Sequence, residues 1–291
     1  MDFVLSEKLA DFMWMNGRII PWDDGYIHAM THSLHYGGAV FEGERAYGGK
    51  VFKLNQHTNR LLRSAKDMHL SVKYSDKEIN DATNHLLKKN NLRNAYIRPL
   101  IWRSSKSLGI YSTSLDSNLL IIAYKSNPEF KNGLKLLLSP WRKFSENAIP
   151  VQSKSSAHYA MTFVSKKLAQ DKGYDDALLL DQHDCIAECS TTNIFFGKGD
   201  TIVTPIADRF LNGITRQTVI EIAKTIGIKV YEARINLEDI KKYDSCFATG
   251  TAAEIKGIKL IDAGSQSITF TNDVITSKLQ KKYAEIVEKE L

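Results

Sequence analysis

Along the first 124 residues, short alternating runs of apolar and polar positions are broken by turn signals, and two longer stretches keep a helical repeat. FMWMNGRII carries Asn16-Gly17 and RAYGGKVFKL carries Gly48-Gly49; each pair, set between apolar runs, predicts a tight hairpin. In NQHTNRLLRSAKDMHL, the residues Leu61, Ala65 and Met68 fall on one helical stripe. SDKEINDATNHLLKK opens with a capping box, Ser75 with Glu78, ahead of Ile79, Ala82 and Leu86, so a second helix follows. AYIRPLIW then alternates, placing Tyr96, Arg98, Leu100 and Trp102 on one face of a strand. Pro99 within it has no N–H for a ladder and points to a sheet edge or a bulge. NLLIIAY predicts a further strand.

The stretch KSNPEFKNG, 125–133, is polar with Pro and Gly, keeps neither repeat and reads as a linker. Beyond it strands mix with helices: LKLLLS, DDALLLD, CIAE, NIFFGKGDTIVTP, KVYEAR and SCFATG among HYAMTFVSKKLAQDKG, GITRQTVIEIAKTIG and DVITSKLQKKYAEIVEKEL. The last of these sets Ile275, Leu279, Tyr283 and Ile286 on one stripe. At 291 residues, 43% of them hydrophobic, the chain exceeds a usual single core and predicts two domains sharing a cleft. The expected class is α/β, of the α+β kind: a small N-terminal α/β domain over 1–124, a linker over 125–133 and a larger C-terminal domain over 134–291.

Charge and cysteine content narrow the function classes. The net charge of +6 comes from scattered pairs such as Lys88-Lys89 and Lys241-Lys242, not from one stripe with interleaved aromatics, so no nucleic-acid partner is expected. Cys185, Cys189 and Cys246 form no CxxC pair and leave one thiol over in any disulfide scheme, which fits a reducing compartment and a cytoplasmic location. No export segment or membrane span is expected, the longest apolar run being LLIIAY. His28, His32 and His35 in HAMTHSLHYG have the spacing of one helical face, and a zinc hydrolase is the rival that spacing raises. With no HExxH and no evident carboxylate partner, no metal is expected. GxSxG, Walker A and complete GxGxxG patterns are absent from the sequence.

The chemistry centres on IPVQSKSSAHYA. Lys154 lies there among small hydroxyl residues after Pro150, with Tyr159 five positions on. A lysine attacks a carbonyl as a free amine when burial or neighbouring charge lowers its pKa. Pyridoxal phosphate needs such a lysine for its aldehyde, an acid for its ring nitrogen and a phosphate site. Glu188, ending a short strand in CIAECSTTNIFF, is a candidate acid. Gly213 in FLNGITRQTV precedes a helix whose first amides, Ile214 and Thr215, face an anion, and Arg60 is a source of positive charge. In ATGTAAE a strand end and tight turn present the amides of Thr251 and Ala252 to a carboxylate.

HYGGAVFEGERAY, AYIRPLIW, IPVQSKSSAHY, IAECSTTNIF, LNGITR and GTAAEI stand in the order found in class IV pyridoxal-phosphate aminotransferases. From about Trp14 to Glu254 the chain resembles that family, most closely its members acting on branched-chain amino acids. The resemblance implies a two-domain fold with pyridoxal 5'-phosphate in the interdomain cleft, and ping-pong amino transfer between branched-chain L-amino acids and 2-oxoglutarate. It implies that Lys154 bonds the cofactor and moves the substrate proton, that Glu188 pairs with the pyridine nitrogen, and that Tyr159 meets the ring hydroxyl. Arg60, Ile214 and Thr215 would hold the phosphate, with Thr251 also at the cofactor. Tyr96 with the Thr251 and Ala252 amides would bind the α-carboxylate; Tyr36, Phe41 and Gly43 would shape the side-chain pocket; Arg98 would take a second carboxylate. A homodimer or higher homo-oligomer built from dimers is implied too. D-Amino-acid aminotransferase and aminodeoxychorismate lyase are the alternatives on the same scaffold. Departures from the family pattern are a polar SSKSLGIY, a linker without Trp or Tyr, and Cys189 where glycine is common.

Overall fold

The computed structural model describes residues 8–104, 109–110, 117–127 and 133–289. Most of SSKSLGIY, and residues 128–132 of the expected linker, fall outside them. By internal packing the chain divides into two units, one of Met1–Asn127, Ser153–Ala157 and Glu290–Leu291, the other of Pro128–Gln152 and His158–Lys289. The excursion Ser153–Ala157 carries Lys154 into the first unit, although the sequence expectation set it inside the domain starting at 134.

Among the described residues the first unit holds a seven-stranded sheet. Its elements are β1 (Phe12–Met15), β2 (Arg18–Pro21), α1 (His32–Tyr36), β3 (Ala39–Phe41), β4 (Glu44–Tyr47), β5 (Lys50–Val51), α2 (Leu54–Asp67), α3 (Asp76–Lys89), β6 (Ala95–Arg103) and β7 (Ser117–Lys125). The sheet order is β2-β1-β7-β6-β4-β5, with β3 also on β6. Asn16 and Gly17 both have positive φ, 49° and 90°, which the β1–β2 hairpin requires and which these residue types tolerate. The Ser75–Glu78 capping box forms at the start of α3. The helices lay Leu61, Ala65, Ile79, Ala82 and Leu86 against Ile97, Ile101, Leu119 and Ile121. Burying each Leu or Ile stabilises the fold by about 1.5–3 kcal/mol.

Pro99 lies in the interior of the sheet, with β7 on one side, and not at its edge. On the other side its neighbour is interrupted between Phe41 and Glu44, where β3 ends and β4 begins, and the Pro99 carbonyl accepts the Glu42 N–H at 2.9 Å. The missing proline N–H faces that interruption, so no regular ladder bond is lost.

The second unit contains, among the described residues, a nine-stranded sheet in the order β10-β9-β8-β15-β14-β11-β12-β13, with β16 on β15. Its elements are β8 (Leu134–Arg142), α4 (Ser156–Asp171, whose first two residues pack with the first unit), β9 (Asp176–Leu180), β10 (Ile186–Cys189), β11 (Asn193–Lys198), β12 (Thr201–Pro205), α5 (Ile214–Thr225), β13 (Lys229–Ala233), β14 (Ser245–Gly250), β15 (Glu254–Asp262), β16 (Ser267–Thr269) and α6 (Val274–Lys289). β8 is parallel to β9 and β15, and β12 to β13. DALLL and IAEC are buried at every position, including the charged Asp176 and Glu188, so neither shows the apolar-polar alternation of a half-exposed strand. On α6 the predicted stripe is buried at Ile275, Leu279 and Tyr283 and completed by Val287, with Ile286 half-buried.

Candidate active site

In the first unit the lysine loop is held from two sides. The Lys154 carbonyl accepts the Phe41 N–H at 3.1 Å, and Ser155 forms a lone antiparallel bridge with Val40, so the loop continues the β3 edge. From the other side α2 offers Ser64, whose Oγ accepts the Lys154 N–H at 3.0 Å and whose carbonyl accepts the Ser153 hydroxyl at 3.3 Å. Both backbone polar groups of the lysine are thereby fixed. Its amine lies 5.0 Å from the centre of the Phe41 ring, and the Arg98 guanidinium lies 4.5 Å from the same centre. Burial and the Arg60 charge, partly opposed by Glu42 and Tyr96 and helped by Arg98, bring the amine from 10.5 down to about 8. A useful fraction of it is therefore a free nucleophile near neutral pH.

Arg98 donates through Nη2 to the Tyr96 hydroxyl at 2.6 Å, while its Nε is buried with no hydrogen-bond partner among the described residues. Gly43 is dictated by this arrangement, because a Cβ there would sit 2.3 Å from the Tyr96 Oη. The structure thus brings Phe41, Gly43, Tyr96, Arg98 and Lys154 together. Tyr36 is on α1, 44% exposed, its ring 4.7 Å from that of His32.

Arg60 is engaged in a way its sequence did not signal. Its Nε and Nη2 donate to the two oxygens of Glu42 at 2.5 and 2.8 Å, and His57 Nδ1 donates to the same carboxylate at 2.7 Å. Burial alone would raise the Glu42 pKa; Arg60 and then His57 outweigh it and hold the carboxylate well below its ordinary range. Burial pushes the His57 pKa down, so the imidazole is neutral and gives Glu42 its Nδ1 proton. Two of the three Arg60 nitrogens are committed to Glu42, which limits what Arg60 can offer a phosphate. Two residues along, Glu44 is fully buried, and burial followed by the Glu42 charge raises its pKa well above the ordinary value.

The second unit carries the other candidates. Glu188 in β10 is 8% exposed; Lys143 Nζ lies 2.8 Å from its Oε1, and the Asn193 amide donates to its Oε2 at 3.2 Å. Gly213 precedes α5 with no side-chain cap, so the Ile214 and Thr215 amides have no acceptor within the helix. Thr251 and Ala252 occupy the turn between β14 and β15, half-buried and exposed, and the Thr249 Oγ1 just before them is buried with no partner among the described residues. Tyr159 is half-buried in the first turn of α4. Glu42, His57, Ser64, Lys143 and Asn193 were missed as supports. Only Asn193 had a local signal, five residues from Glu188 across a short turn; the rest meet their partners through tertiary contact.

The histidine cluster does not share one helical face. His28 precedes α1, where its Nδ1 accepts the Met30 N–H, and the His32 and His35 rings contact the carbonyls of Ile110 and Ala29 at 2.9 and 2.8 Å. Among the described residues no group of His, Cys, Asp and Glu is placed to hold a metal ion. Cys189 is buried in β10, and that burial raises its thiol pKa well above the ordinary value.

Residues 39–261 match the family model described as amino-transferase class IV. The chain belongs to the class IV aminotransferases. A Rickettsia bellii protein named "probable branched-chain-amino-acid aminotransferase" is 53% identical to this aminotransferase over 283 residues, covering 97% of this chain and 98% of the relative. A branched-chain aminotransferase of Thermoproteus uzoniensis, solved with norvaline, superposes with a TM-score of 0.90 at 33% identity, covering 96% of this chain and 95% of that one. A second branched-chain amino acid aminotransferase, from T.th. and complexed with N-(5'-phosphopyridoxyl)-L-glutamate, gives 0.90 at 32% identity, with 97% and 95% covered. The mixed α/β architecture is therefore that of the class IV aminotransferase fold. Among the described residues no helix is long and apolar enough to cross a membrane.

Proposed function

We propose that this aminotransferase uses pyridoxal 5'-phosphate to exchange the amino group between branched-chain L-amino acids (Leu, Ile, Val) and 2-oxoglutarate. The observation that carries this reading is Lys154, a lysine with both backbone groups clamped, its amine brought to about 8, set beside Phe41, Tyr96 and Arg98. The donor set suits that cofactor: an amine for the aldehyde, a carboxylate at Glu188 for a ring nitrogen, and the uncapped N terminus of α5 for a phosphate. When bound, pyridoxal 5'-phosphate supplies an aldehyde that joins amines covalently and a ring that withdraws electrons from the substrate carbon.

Lys154 would hold the cofactor through its amine and would move a proton at Nζ to and from the substrate. Glu188, whose carboxylate is held by Lys143 and Asn193, would keep a proton on the ring nitrogen. Ile214 and Thr215 would hold the phosphate, with Arg60 adding charge as far as its two bonds to Glu42 allow, while Tyr159 would meet the ring hydroxyl and Thr251 would serve the cofactor. Tyr96 with the Thr251 and Ala252 amides receives the α-carboxylate. Phe41, Gly43 and Tyr36 form the wall against the aliphatic side chain. The buried Arg98 Nε supports a role in taking glutamate's second carboxylate, since an incoming oxygen would satisfy it. Tyr26, Ile27, Leu34 and Tyr36 expose an apolar surface around α1, which favours a homo-oligomer built from dimers.

Borohydride treatment of the cofactor-loaded protein, followed by peptide mapping, is expected to mark Lys154; a mark on another lysine would overturn the assignment. In a panel of L- and D-amino acids with 2-oxoglutarate, Leu, Ile and Val should react within about two orders of magnitude of one another, because a methylene in an apolar pocket is worth about 1–3 kcal/mol. Preference for D-amino acids, or 4-aminobenzoate formed from aminodeoxychorismate, would select one of the alternative activities.

A further inference from the structure

The side-chain amide of Asn193 touches both Glu188 and the N terminus of α5. It is 4% exposed, at the first position of β11 and in register with Thr249 of β14. Its Nδ2 donates to Glu188 Oε2 at 3.2 Å and to the Leu211 carbonyl at 3.1 Å, and its Oδ1 accepts the Gly213 N–H at 3.1 Å. Only one orientation of the amide serves two acceptors and one donor together, so the group cannot flip without losing these bonds. The Glu188 end is fixed in turn, since Lys143 Nζ sits 2.8 Å from its other oxygen.

Gly213 provides a second observation. Its φ of −63° and ψ of 140° suit any residue, so backbone conformation does not require glycine. A Cβ at this position would instead stand 2.2 Å from the Asn193 Oδ1. Position 213 is small because the asparagine occupies the adjoining space.

We propose that Asn193 is a positioning residue that fixes the distance between Glu188 and the first amides of α5, so that one rigid cofactor can engage its ring-nitrogen partner and its phosphate cradle at once. The proposal rests on the cofactor reading above. Glu188 and α5 lie on separate elements, joined by a chain of more than twenty residues, and one amide bonds to both. Without it each anchor could still form, but a rigid ligand would meet one at the expense of the other, and the benefit of binding both ends would fall.

The test compares pyridoxal 5'-phosphate with pyridoxal, using tryptophan fluorescence of the cofactor-free chain to measure both dissociation constants. Their ratio reports the gain from the phosphate when the ring is already placed. For Asn193→Ala the ratio should fall about tenfold, the scale of a lost hydrogen bond to a charged group. Gly213→Ala, which leaves every partner in place but displaces the amide, should lower it in the same direction and decides the matter if Asn193→Ala does not fold. General loosening would weaken both ligands alike and leave the ratio unchanged. The parent reading is checked alongside: wild type should show a Lys154-dependent absorption band on loading, and Glu188→Gln should shift that band's pH response. If either fails, the cofactor reading falls and this proposal with it. If both hold and the folded Asn193 and Gly213 variants keep the wild-type ratio, the proposal alone is overturned.

Discussion

The buried amine of Lys154 should weaken the cofactor-free fold, and its removal measures by how much. In the folded chain the Lys154 amine gives up its proton near pH 8 instead of 10.5. That gap, at about 1.36 kcal/mol per pH unit, corresponds to about 3 kcal/mol. The value is a ceiling, since the residue as a whole is only half-buried and water reaches part of it. Lys154→Met keeps the length and removes the charge, losing the contact with the Phe41 ring, worth about 0.5–1 kcal/mol. The expected net gain is about 1–3 kcal/mol in unfolding free energy at pH 7. Because the unfolded chain binds the proton more tightly, wild-type stability suffers fully below pH 8 and recovers as pH rises from 8 toward 10.5. The advantage of the variant should shrink over that window. Urea unfolding of cofactor-free wild type and Lys154→Met at pH 6, 7, 8, 9 and 10 measures both quantities. A variant less stable than wild type at pH 7, or an advantage unchanged up to pH 10, would refute the reasoning.

Three further outcomes are expected. Gly43→Ala puts a methyl 2.3 Å from the Tyr96 Oη, so it should cost about 1–3 kcal/mol by overpacking and raise KM for amino acids; an unchanged KM would remove Tyr96 from carboxylate binding. Glu44→Gln should stabilise the chain at pH 7 and have little effect below pH 4.5, because the wild-type carboxyl has a raised pKa and its penalty grows as pH rises past the unfolded value; thermal unfolding across pH 4 to 8 checks this. Arg98→Leu should slow the glutamate half-reaction far more than the leucine half-reaction in single turnovers, and equal losses would make Arg98 part of the scaffold.

Elements and motifs with a local cause were legible in the sequence. The Asn16-Gly17 turn, the Ser75–Glu78 capping box and the α6 stripe are decided by residues a few positions apart, and they form as read. The lysine loop and the run IAECSTTNIF were likewise recognisable because their side chains lie close together along the chain. Pro99 was legible only in part. Proline signalled a ladder that could not be regular, but whether that meant an edge or an interrupted neighbour depended on strands 57 residues away, at Glu42 and its flanks.

Sequence by itself therefore determined which elements form and which side chains could carry the chemistry, because backbone dihedrals, capping and amphipathic period are short-range properties. Tertiary structure decided the state of those side chains. Lys154 is brought down to about 8 by burial and by Arg60 and Arg98, against the opposing effect of Glu42 and Tyr96, none of them adjacent to it in sequence. Arg60 reads as a source of positive charge for an anion until Glu42, 18 positions away, takes two of its nitrogens. Glycine at 43 and at 213 is set by the side chains of Tyr96 and Asn193 and not by any turn. Electrostatic and steric interactions act through space, so their partners are fixed only when the chain has folded.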